Sequence, residues 1–340
     1  MISTRKDKIF VIGNGLDKAH GLRTGYSDFL KHVILTHSED PRRRLYSDLL
    51  TLDPAYVFRD FDDFKKRRKE LMDIGKLKFL NNFLYKLIDV LVNTDWSDIE
   101  KFYFDELYRF KGNLQLAKQL NEEFKIVIRH LDSYLSELLS NSTPVFDSRF
   151  MDIFLKGDPT HLLFLNFNYT PTLKYYLEYL SGVSKKTCEQ IQIHGILNSP
   201  NTDPIISGYG NESGLYDELK SLDNIYLQNI KSNHYPRNGK ATQLRNYIRS
   251  LDSFDLVTIG HSLEECDRSL LLEILSSSKL NSIEICYRES EDNYAGFQKL
   301  YTNISKFVTP EVRNKILDFR QSSVIPQFTD NPGASLMSFA

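Results

Sequence analysis

The hydrophobic pattern divides the chain into two kinds of region. Short apolar runs near both ends predict buried β-strands. These runs are Ile9–Ile12, His161–Phe167, Gln190–His194, Pro204–Ser207, Phe254–Ile259 and Ser282–Tyr287. Most of them are followed by Gly, Asn or Ser and then by a helical pattern. Strands that alternate with helices predict an α/β fold with a mainly parallel sheet flanked by helices.

The middle of the chain has a different pattern, in which apolar residues recur at helical spacing. Between residues 42 and 150, Gly and Pro are sparse and there is little strand signal. The recurring positions include Phe83, Leu87, Leu91, Leu120, Phe124, Leu131 and Leu135. We therefore expect a large all-helical insertion at 42–150, after the first βα unit. The core is expected at 1–41 and 151–325, followed by a loose tail at 326–340.

Composition and charge narrow the class of protein. The 340 residues are 41% hydrophobic and 26% charged, with a net charge of −2, which is typical of a globular protein. This charge gives no overall attraction to nucleic acid or to an anionic membrane. No apolar run approaches the roughly 18 residues of a membrane span, and the first residues lack a signal-peptide core. Together these features predict a cytoplasmic protein.

The cysteines and one basic run are interpreted as structural features rather than as functional sites. Three widely spaced cysteines form neither a disulfide framework nor a zinc ribbon. A basic run, Lys65–Lys69, lies in the predicted insertion, where the neighbouring Asp62, Asp63 and Glu70 dilute its charge. A solvated helix face explains this run better than a nucleic-acid partner does.

The first predicted strand runs directly into Gly13-Asn14-Gly15. Glycines after a buried strand allow close approach of a ligand, and the N-terminus of a following helix attracts phosphate. The spacing departs from the dinucleotide fingerprint G-x-G-x-x-G, because Lys18 occupies the third glycine position. A tight strand-to-helix turn without a ligand is the alternative explanation.

Polar residues follow three other predicted strands, and the carboxyl ends of parallel strands meet at one crevice. The motif Asn166–Pro171 places Asn168 and Tyr169 at this mouth, while Thr170 and Pro171 are explained as a helix start. His194 ends a strand before a glycine, where a satisfied structural histidine is the alternative.

The last of these strand ends carries Gly260-His261-Ser262. Ser262 and Glu265 have the spacing of a capping box, so a well-capped helix is the alternative to a ligand site. No G-x-S-x-G elbow and no clustered Cys/His set occurs, so neither a serine hydrolase nor a metal site is expected.

A set of motifs follows in one order along residues 8 to 275: VIGNGLDKAHGLRTGYSDFL, FNYTPTL, IHG, IISGYG and GHSLEECDRSLL. As a set, they resemble the AbiH family of bacterial abortive-infection proteins. Trp96, Asp98 and Glu100 resemble the acidic WxDxE-type element that such proteins carry in their helical part. The resemblance implies an antiviral role in phage defence.

The same order is more distantly similar to sirtuin-type NAD sites, which implies a Rossmann-like (sirtuin-like) core. This similarity implies that Gly13, Asn14 and Gly15 hold the phosphates of NAD, and that Gly260 and Ser262 hold the second nucleotide. It further implies that Tyr169 contacts the nucleotide and that Asn168 positions the ribose and a water molecule. His194 would act as the general base. The acid of the sirtuin N-x-D element is replaced by Thr170, and the sirtuin zinc ribbon is absent.

Defence proteins with sirtuin-like domains commonly hydrolyse NAD, so the resemblance implies a toxic NAD glycohydrolase that needs no metal. Cleavage of the nicotinamide–ribose bond passes through a cation-like sugar, near which an acidic group such as Asp17 would help. A nucleotide-binding sensor without catalysis is one alternative. A nuclease-type toxin that uses Asp98 and Glu100 is another, although a capped helix start also explains these acids. The partners expected are a nucleotide substrate, a homo-oligomer and a phage-derived trigger.

Overall fold

The architecture is given by a computed structural model that describes residues 7–39, 45–94, 98–142, 144–184, 186–210, 214–288 and 292–327. In these ranges the strands are β1 Asp7–Ile12, β2 Leu50–Leu52, β3 Leu77–Phe79, β4 His161–Asn166, β5 Thr187–Gln192, β6 Phe254–Ile259, β7 Leu280–Arg288 and β8 Val324–Ile325. The α-helices are α1 Gly15–Ala19, α2 Tyr26–Glu39, α3 Phe61–Asp73, α4 Asn82–Thr94, α5 Ile99–Arg109, α6 Leu114–Asn141, α7 Arg149–Leu155, α8 Lys174–Gly182, α9 Gly214–Lys220, α10 Lys231–His234, α11 Lys240–Ser250, α12 Arg268–Leu275, α13 Asn293–Ser305 and α14 Pro310–Arg313. Short 3-10 turns span Asn224–Leu227, Tyr235–Asn238, Glu265–Asp267 and Gln321–Ser323.

The main sheet confirms the predicted parallel α/β fold. Within the described ranges it has six strands in the order β5-β4-β1-β6-β7-β8, and each ladder is parallel. Counted along the chain within this sheet, the order is 3-2-1-4-5-6, which is that of the doubly wound dinucleotide-binding folds. The direction of winding therefore reverses between β1 and β6, and the carboxyl ends of these two strands border a crevice.

Strand β1 shows why the continuous apolar runs become central strands. Ile9 and Val11 point into one core, which is shared with helices α11, α12 and α13. Phe10 and Ile12 point into a second core on the other face, which is shared with α7 and α8. All four side chains are fully buried, as expected for a parallel sheet that is covered on both faces.

Helices α2 to α6 lie between β1 and β4 along the chain and pack around a third core. Leu120, Phe124, Leu131 and Leu135 of α6 face this core at the spacing that the sequence predicts. The expected all-helical insertion needs one correction, because β2 and β3 pair as a short antiparallel sheet. Strands of three residues are too short to show an alternating pattern.

Some local expectations are wrong. Pro204–Ser207 is not a strand: after Pro204 the chain follows an irregular path, and Gly208 has a φ of +142°. Of the predicted tail 326–340, only residues 326 and 327 lie within the described ranges. In the part of the chain that the structure describes, no helix has the length and apolar character needed to cross a membrane.

Candidate active site

A cavity of about 540 Å³ opens at the carboxyl ends of β1, β4 and β6 and extends to Leu131 and Leu135 of the helical insertion. It lies at the point where the sheet reverses its winding, which is where ligands bind in open α/β sheets. The residues singled out from the sequence all line it: Gly13, Asn14, Gly15, Asp17, Asn168, Tyr169, His194, Gly260 and Ser262. The fold therefore brings the predicted site residues together.

The glycines of the first turn allow another stretch of backbone to approach closely. A Cβ atom on Gly13 would lie 2.5 Å from the Cα atom of His261, and one on Gly15 would overlap the Cα atom of Gly260. Gly15 also donates its backbone N–H to the carbonyl oxygen of Gly260, at 2.8 Å. The turn after β6 thus occupies the space that a side chain at either glycine would need, while both glycines also line the cavity.

The amide side chains of the site are fixed to the backbone around β1. Asn168 is buried and donates from Nδ2 to the carbonyl oxygen of Gly13, at 3.1 Å. Within the described residues, no donor reaches its Oδ1 atom. Asn14 donates from Nδ2 to the carbonyl oxygen of Thr24, at 3.1 Å, and accepts a hydrogen bond from the Thr24 hydroxyl. Asn168 therefore presents a free acceptor in the cavity wall, whereas Asn14 holds a neighbouring loop.

Asp17 is a buried acid beside the motif of Asn168. The Thr170 hydroxyl lies 2.8 and 2.7 Å from the two carboxylate oxygens and donates to them. Burial raises the pKa of Asp17 to about 6, against the lowering effect of hydrogen bonds from Thr172 and Thr170. The predicted helix start at Thr170 is wrong, since α8 begins at Lys174, and the threonine binds this carboxylate instead.

His194 forms a buried pair with Asp267. Its Nε2 atom lies 3.1 Å from Oδ1 of Asp267, so the imidazole proton is assigned to Nε2. Burial, together with the nearby Lys231, lowers the pKa of His194 to about 4. The ring is consequently neutral at physiological pH. Within the described residues no hydrogen bond is found at its Nδ1 atom, which is left to accept a proton.

Asp267 is the centre of a buried charge cluster. Lys231 Nζ lies 2.9 Å from Asp267 Oδ1 and 2.7 Å from Glu100 Oε2. His261 Nε2 lies 3.4 Å from Asp267 Oδ2, and its Nδ1 accepts the backbone N–H of Leu263. Although burial opposes ionisation, Lys231 and His194 hold the pKa of Asp267 well below its usual value.

Lys231 and Asp267 were not among the site residues predicted from the sequence. Lys231 begins the short helix α10 and Asp267 ends a 3-10 turn, so neither directly follows an apolar strand. The only available signal was the position of Asp267 shortly after Gly260-His261-Ser262. The capped-helix alternative for Ser262 and Glu265 is wrong, because no side chain caps this turn.

The acidic WxDxE-type element has two separate roles in the described residues; Trp96 and Ser97 lie outside them. Asp98 caps helix α5 by accepting the backbone N–H groups of Glu100 and Lys101, which confirms the capped-helix alternative. Glu100 Oε1 accepts from Ser207 Oγ at 3.0 Å and from Gly208 N at 3.2 Å, while Oε2 binds Lys231. Glu100 thus serves the buried cluster.

The remaining predicted residues shape the cavity. Tyr169 donates its hydroxyl to the carbonyl oxygen of Ile206, at 3.2 Å, and Ser262 is exposed at the wall with its carbonyl bound by Asn303. Two exposed cations, Lys18 after β1 and Arg288 at the end of β7, also line the cavity. These two side chains supply positive charge to the cavity wall, whereas the turn Gly13-Asn14-Gly15 carries no charged side chain.

Comparison with known proteins identifies a family. The model of the family described as "Bacteriophage abortive infection AbiH" matches residues 9–288, a span that includes β1 from Ile9 onward, the helical insertion, His194, Lys231 and Asp267. The comparison with curated proteins finds no match. Because the matched span covers most of the chain and every element of the cavity wall up to Arg288, the chain belongs to the AbiH family and has a role in bacteriophage abortive infection.

Proposed function

We propose that the protein hydrolyses the nicotinamide–ribose bond of NAD in this cavity, and that the loss of NAD arrests the infected cell. The observation that carries the proposal is the buried His194–Asp267 pair, at 3.1 Å, in a cavity at the reversal point of a doubly wound sheet. A histidine that is oriented by a carboxylate is a common general-base arrangement.

The place and the size of the cavity support a dinucleotide. Sheets with the strand order seen here bind dinucleotides at their reversal point. Pockets for small ligands commonly measure about 300–1,000 Å³, and the volume of about 540 Å³ lies in that range. Because the turn at Gly13 and Gly15 is filled by backbone, we assign the pyrophosphate to the side chains of Lys18 and Arg288.

The chemistry requires one water molecule and no redox step. Water attacks the anomeric carbon of the ribose, and nicotinamide departs with the electron pair of the C–N bond as a neutral base. The proton of the water passes to Nδ1 of His194 and then to solvent, while Asp267 stabilises the imidazolium through Nε2–H. Asn168 Oδ1 accepts a hydrogen bond from a ribose hydroxyl and so fixes the sugar in the orientation required for attack.

Asp17 supplies the negative charge for the cation-like sugar. In the sirtuin-type element that this chain resembles, an acid occupies the position of Thr170. Here the Thr170 hydroxyl holds the Asp17 carboxylate within 2.8 Å, so an acid from α1 is available at nearly the same place. With a pKa of about 6, Asp17 is largely ionised at neutral pH.

A nucleotide-binding switch without catalysis is the second candidate. The observation that favours it is the pKa of His194, because a base with a pKa of about 4 is weak at neutral pH. A switch would bind the nucleotide in the same cavity and leave it intact. The nuclease reading has less support, since both carboxylate oxygens of Glu100 are engaged by Lys231, Ser207 and Gly208.

The test is nicotinamide release from NAD by the purified protein. Wild type should release nicotinamide in proportion to enzyme, and His194→Ala should lose at least about a hundredfold in rate, as is typical for a general base. His161→Ala is the matched control, because His161 begins β4 at the opposite end of the sheet, outside the cavity lining. Binding of NAD by wild type without any release would favour the switch.

A further inference from the structure

The helical insertion places one charged group inside the site. Helix α5 begins at Ile99, and its second residue, Glu100, is buried against the core. Its carboxylate lies 2.7 Å from Lys231 Nζ and also binds Ser207 and Gly208. An acid of the insertion is therefore in direct contact with the cation that neutralises Asp267.

The contacts that begin at Glu100 continue through Lys231 and Asp267 to His194. Lys231 Nζ and His194 Nε2 approach the same oxygen of Asp267, at 2.9 and 3.1 Å. Glu100, Lys231 and Asp267 come from three separate elements and His194 from the turn after β5, and each of the four is at least nine-tenths buried. Low solvent access leaves these four groups poorly screened. A change in the charge of Glu100 should therefore alter the electrostatic potential at His194.

The insertion also fixes the backbone that carries Lys231. The Phe104 ring stacks on Tyr209 with centroids 4.2 Å apart, and Asn121 Nδ2 donates to the carbonyl oxygen of Ile225 at 2.7 Å. Asn229 Nδ2 donates to the Tyr103 hydroxyl at 3.1 Å. Tyr209, Ile225 and Asn229 are thus held on α5 and α6, and Lys231 follows two residues after the last of them.

We propose that Glu100 is a positioning residue through which the helical insertion sets the charge state of the His194–Asp267 pair. Lys231 is shared between two carboxylates, so Asp267 keeps part of its negative charge for the imidazolium that forms on His194. Without Glu100, the lysine would neutralise Asp267 and the imidazolium would lose its counter-charge. The kinetic part of this inference rests on the proposed NAD cleavage, whereas the charge coupling does not.

The other groups that face the pair complete the electrostatic account. His261, after β6, points Nε2 at Asp267, and Cys266 lies beside the carboxylate on the same turn. The Tyr169 and Tyr235 rings flank His194, and burial keeps both hydroxyls protonated by raising their pKa values. Burial raises the pKa of Glu100 to about 7, so above that pH Glu100 is the charged group whose removal changes the balance without removing a contact to the pair itself.

The kinetic test compares two buried acids of the same helix. At about pH 8, where Glu100 is ionised, Glu100→Gln should lower kcat for nicotinamide release about tenfold, roughly one pKa unit of imidazolium stabilisation, with KM changed less than about twofold. Glu106→Gln is the matched control, since Glu106 is equally buried on α5 and paired with Lys86 at 2.5 Å, outside the large cavity. Equal rates for these two variants would overturn the inference.

The second test reads the hydrogen bond between His194 and Asp267 directly and needs no activity. At about pH 8, above the pKa of about 7 to which burial raises Glu100, the Nε2–H proton of His194 is followed by NMR and assigned with His194→Gln. In Glu100→Gln, Lys231 pairs with Asp267 alone, so a weaker hydrogen bond should move this proton upfield. Glu106→Gln should leave the signal in place.

The two readouts separate the two proposals. A shifted Nε2–H signal in Glu100→Gln supports the charge coupling even where wild type releases no nicotinamide, and in that case it is the proposed function that fails. An unshifted signal in folded Glu100→Gln, equal to that of Glu106→Gln, overturns the coupling whatever the enzymatic result.

Discussion

Two buried side chains of the cavity have pKa values that are displaced in opposite directions. Burial lowers the pKa of His194 to about 4 and raises that of Asp17 to about 6. At neutral pH the site therefore holds a neutral imidazole and a carboxylate that is mostly ionised. These are the protonation states that water activation and stabilisation of a cation-like sugar require.

Asp17 should make the protein less stable as the pH rises. Its pKa in the folded state is about 6, against 3.8 for an ordinary aspartate, so the folded state holds the proton more tightly. Stability from this group is fully present below about pH 4 and is lost as the pH rises through 6. Asp17→Asn should match wild type in Tm at about pH 4 and exceed it at about pH 7.5, by about 1–3 kcal/mol in free energy of unfolding.

The same variant should lose nicotinamide release, because a neutral amide does not stabilise the cationic sugar. Thermal unfolding at the two pH values is the measurement. An equal stability difference at both would show that the charge of Asp17 is not the cause.

Protonation of Asp17 should give the acid limb of the pH–rate profile, and the Thr170 hydroxyl should determine the pH at which this limb lies. This hydroxyl donates to the Asp17 carboxylate and so favours ionisation. Thr170→Val should move the limb up by about half a unit to one unit, since Asp17 then protonates more readily. His194 does not set this limb, because its pKa of about 4 lies lower.

Thr258→Val is the control for this shift. The hydroxyl of Thr258 is buried in β6 and has no hydrogen-bond partner among the described residues, so its loss should leave the profile in place. A limb that moves equally in both variants, or in neither, would contradict the role assigned to Asp17.

At the scale of elements, the site depends on two turns that touch through their backbones. The turn after β1 and the turn after β6 meet at Gly15 and Gly260, and Gly260 has a φ of +66°. This contact fixes His261 and the following residues up to Asp267 relative to Asn168. The close approach of the two glycines therefore fixes the positions of the site residues, whichever ligand occupies the cavity.

Gly15→Ala should separate these turns. A Cβ atom there overlaps the backbone of Gly260, and neither backbone can move without disturbing its strand. We expect a loss of about 1–3 kcal/mol in free energy of unfolding. Gly182→Ala, at the end of α8, is the control, because its Cβ would meet no atom within 4 Å. Urea unfolding measures both, and equal stabilities would contradict the close approach.

The strands of the sheet could be predicted because each signal is local. The run Ile9–Ile12 is apolar throughout, and such a run is stable only where both faces of a strand are covered. Phe254–Ile259 was predicted with the bounds that the structure gives. The polar residues at the ends of these strands then had to converge, which is how Asn168 and His194 were found.

The rest of the site could not be predicted because it depends on tertiary contacts. Lys231 and Asp267 lie in irregular connections, and only folding places them 2.9 Å apart. Thr170 looked like a helix cap because the sequence does not reveal that Asp17 lies beside it. The glycines of the first turn carried a signal for close approach, but not the identity of the approaching group.

At the scale of the whole molecule, the cavity lies between the sheet and the helical insertion. Leu131 and Leu135 of α6 form one part of its wall, and residues at the ends of β6 and β7 form another. A ligand that fills the cavity therefore contacts both parts of the chain. Its binding free energy adds to the stability of the whole fold.

NAD should raise the Tm of the His194→Ala variant by several degrees. This variant keeps the cavity and the other contacts but does not consume the ligand, and saturation at a hundredfold Kd contributes about 2.7 kcal/mol. Differential scanning fluorimetry with NAD and, separately, with nicotinamide alone is the measurement. A Tm that is unchanged by NAD would show that the cavity does not bind the dinucleotide.

The central claim is that this cavity consumes NAD during infection, and the most direct test is the NAD content of infected cells. Cells that carry the wild-type protein should lose most of their NAD after phage infection, before lysis, whereas cells with His194→Ala should keep it and release phage. Growth arrest by the wild-type protein with an unchanged NAD content would contradict the account and leave the cavity as a nucleotide-binding switch.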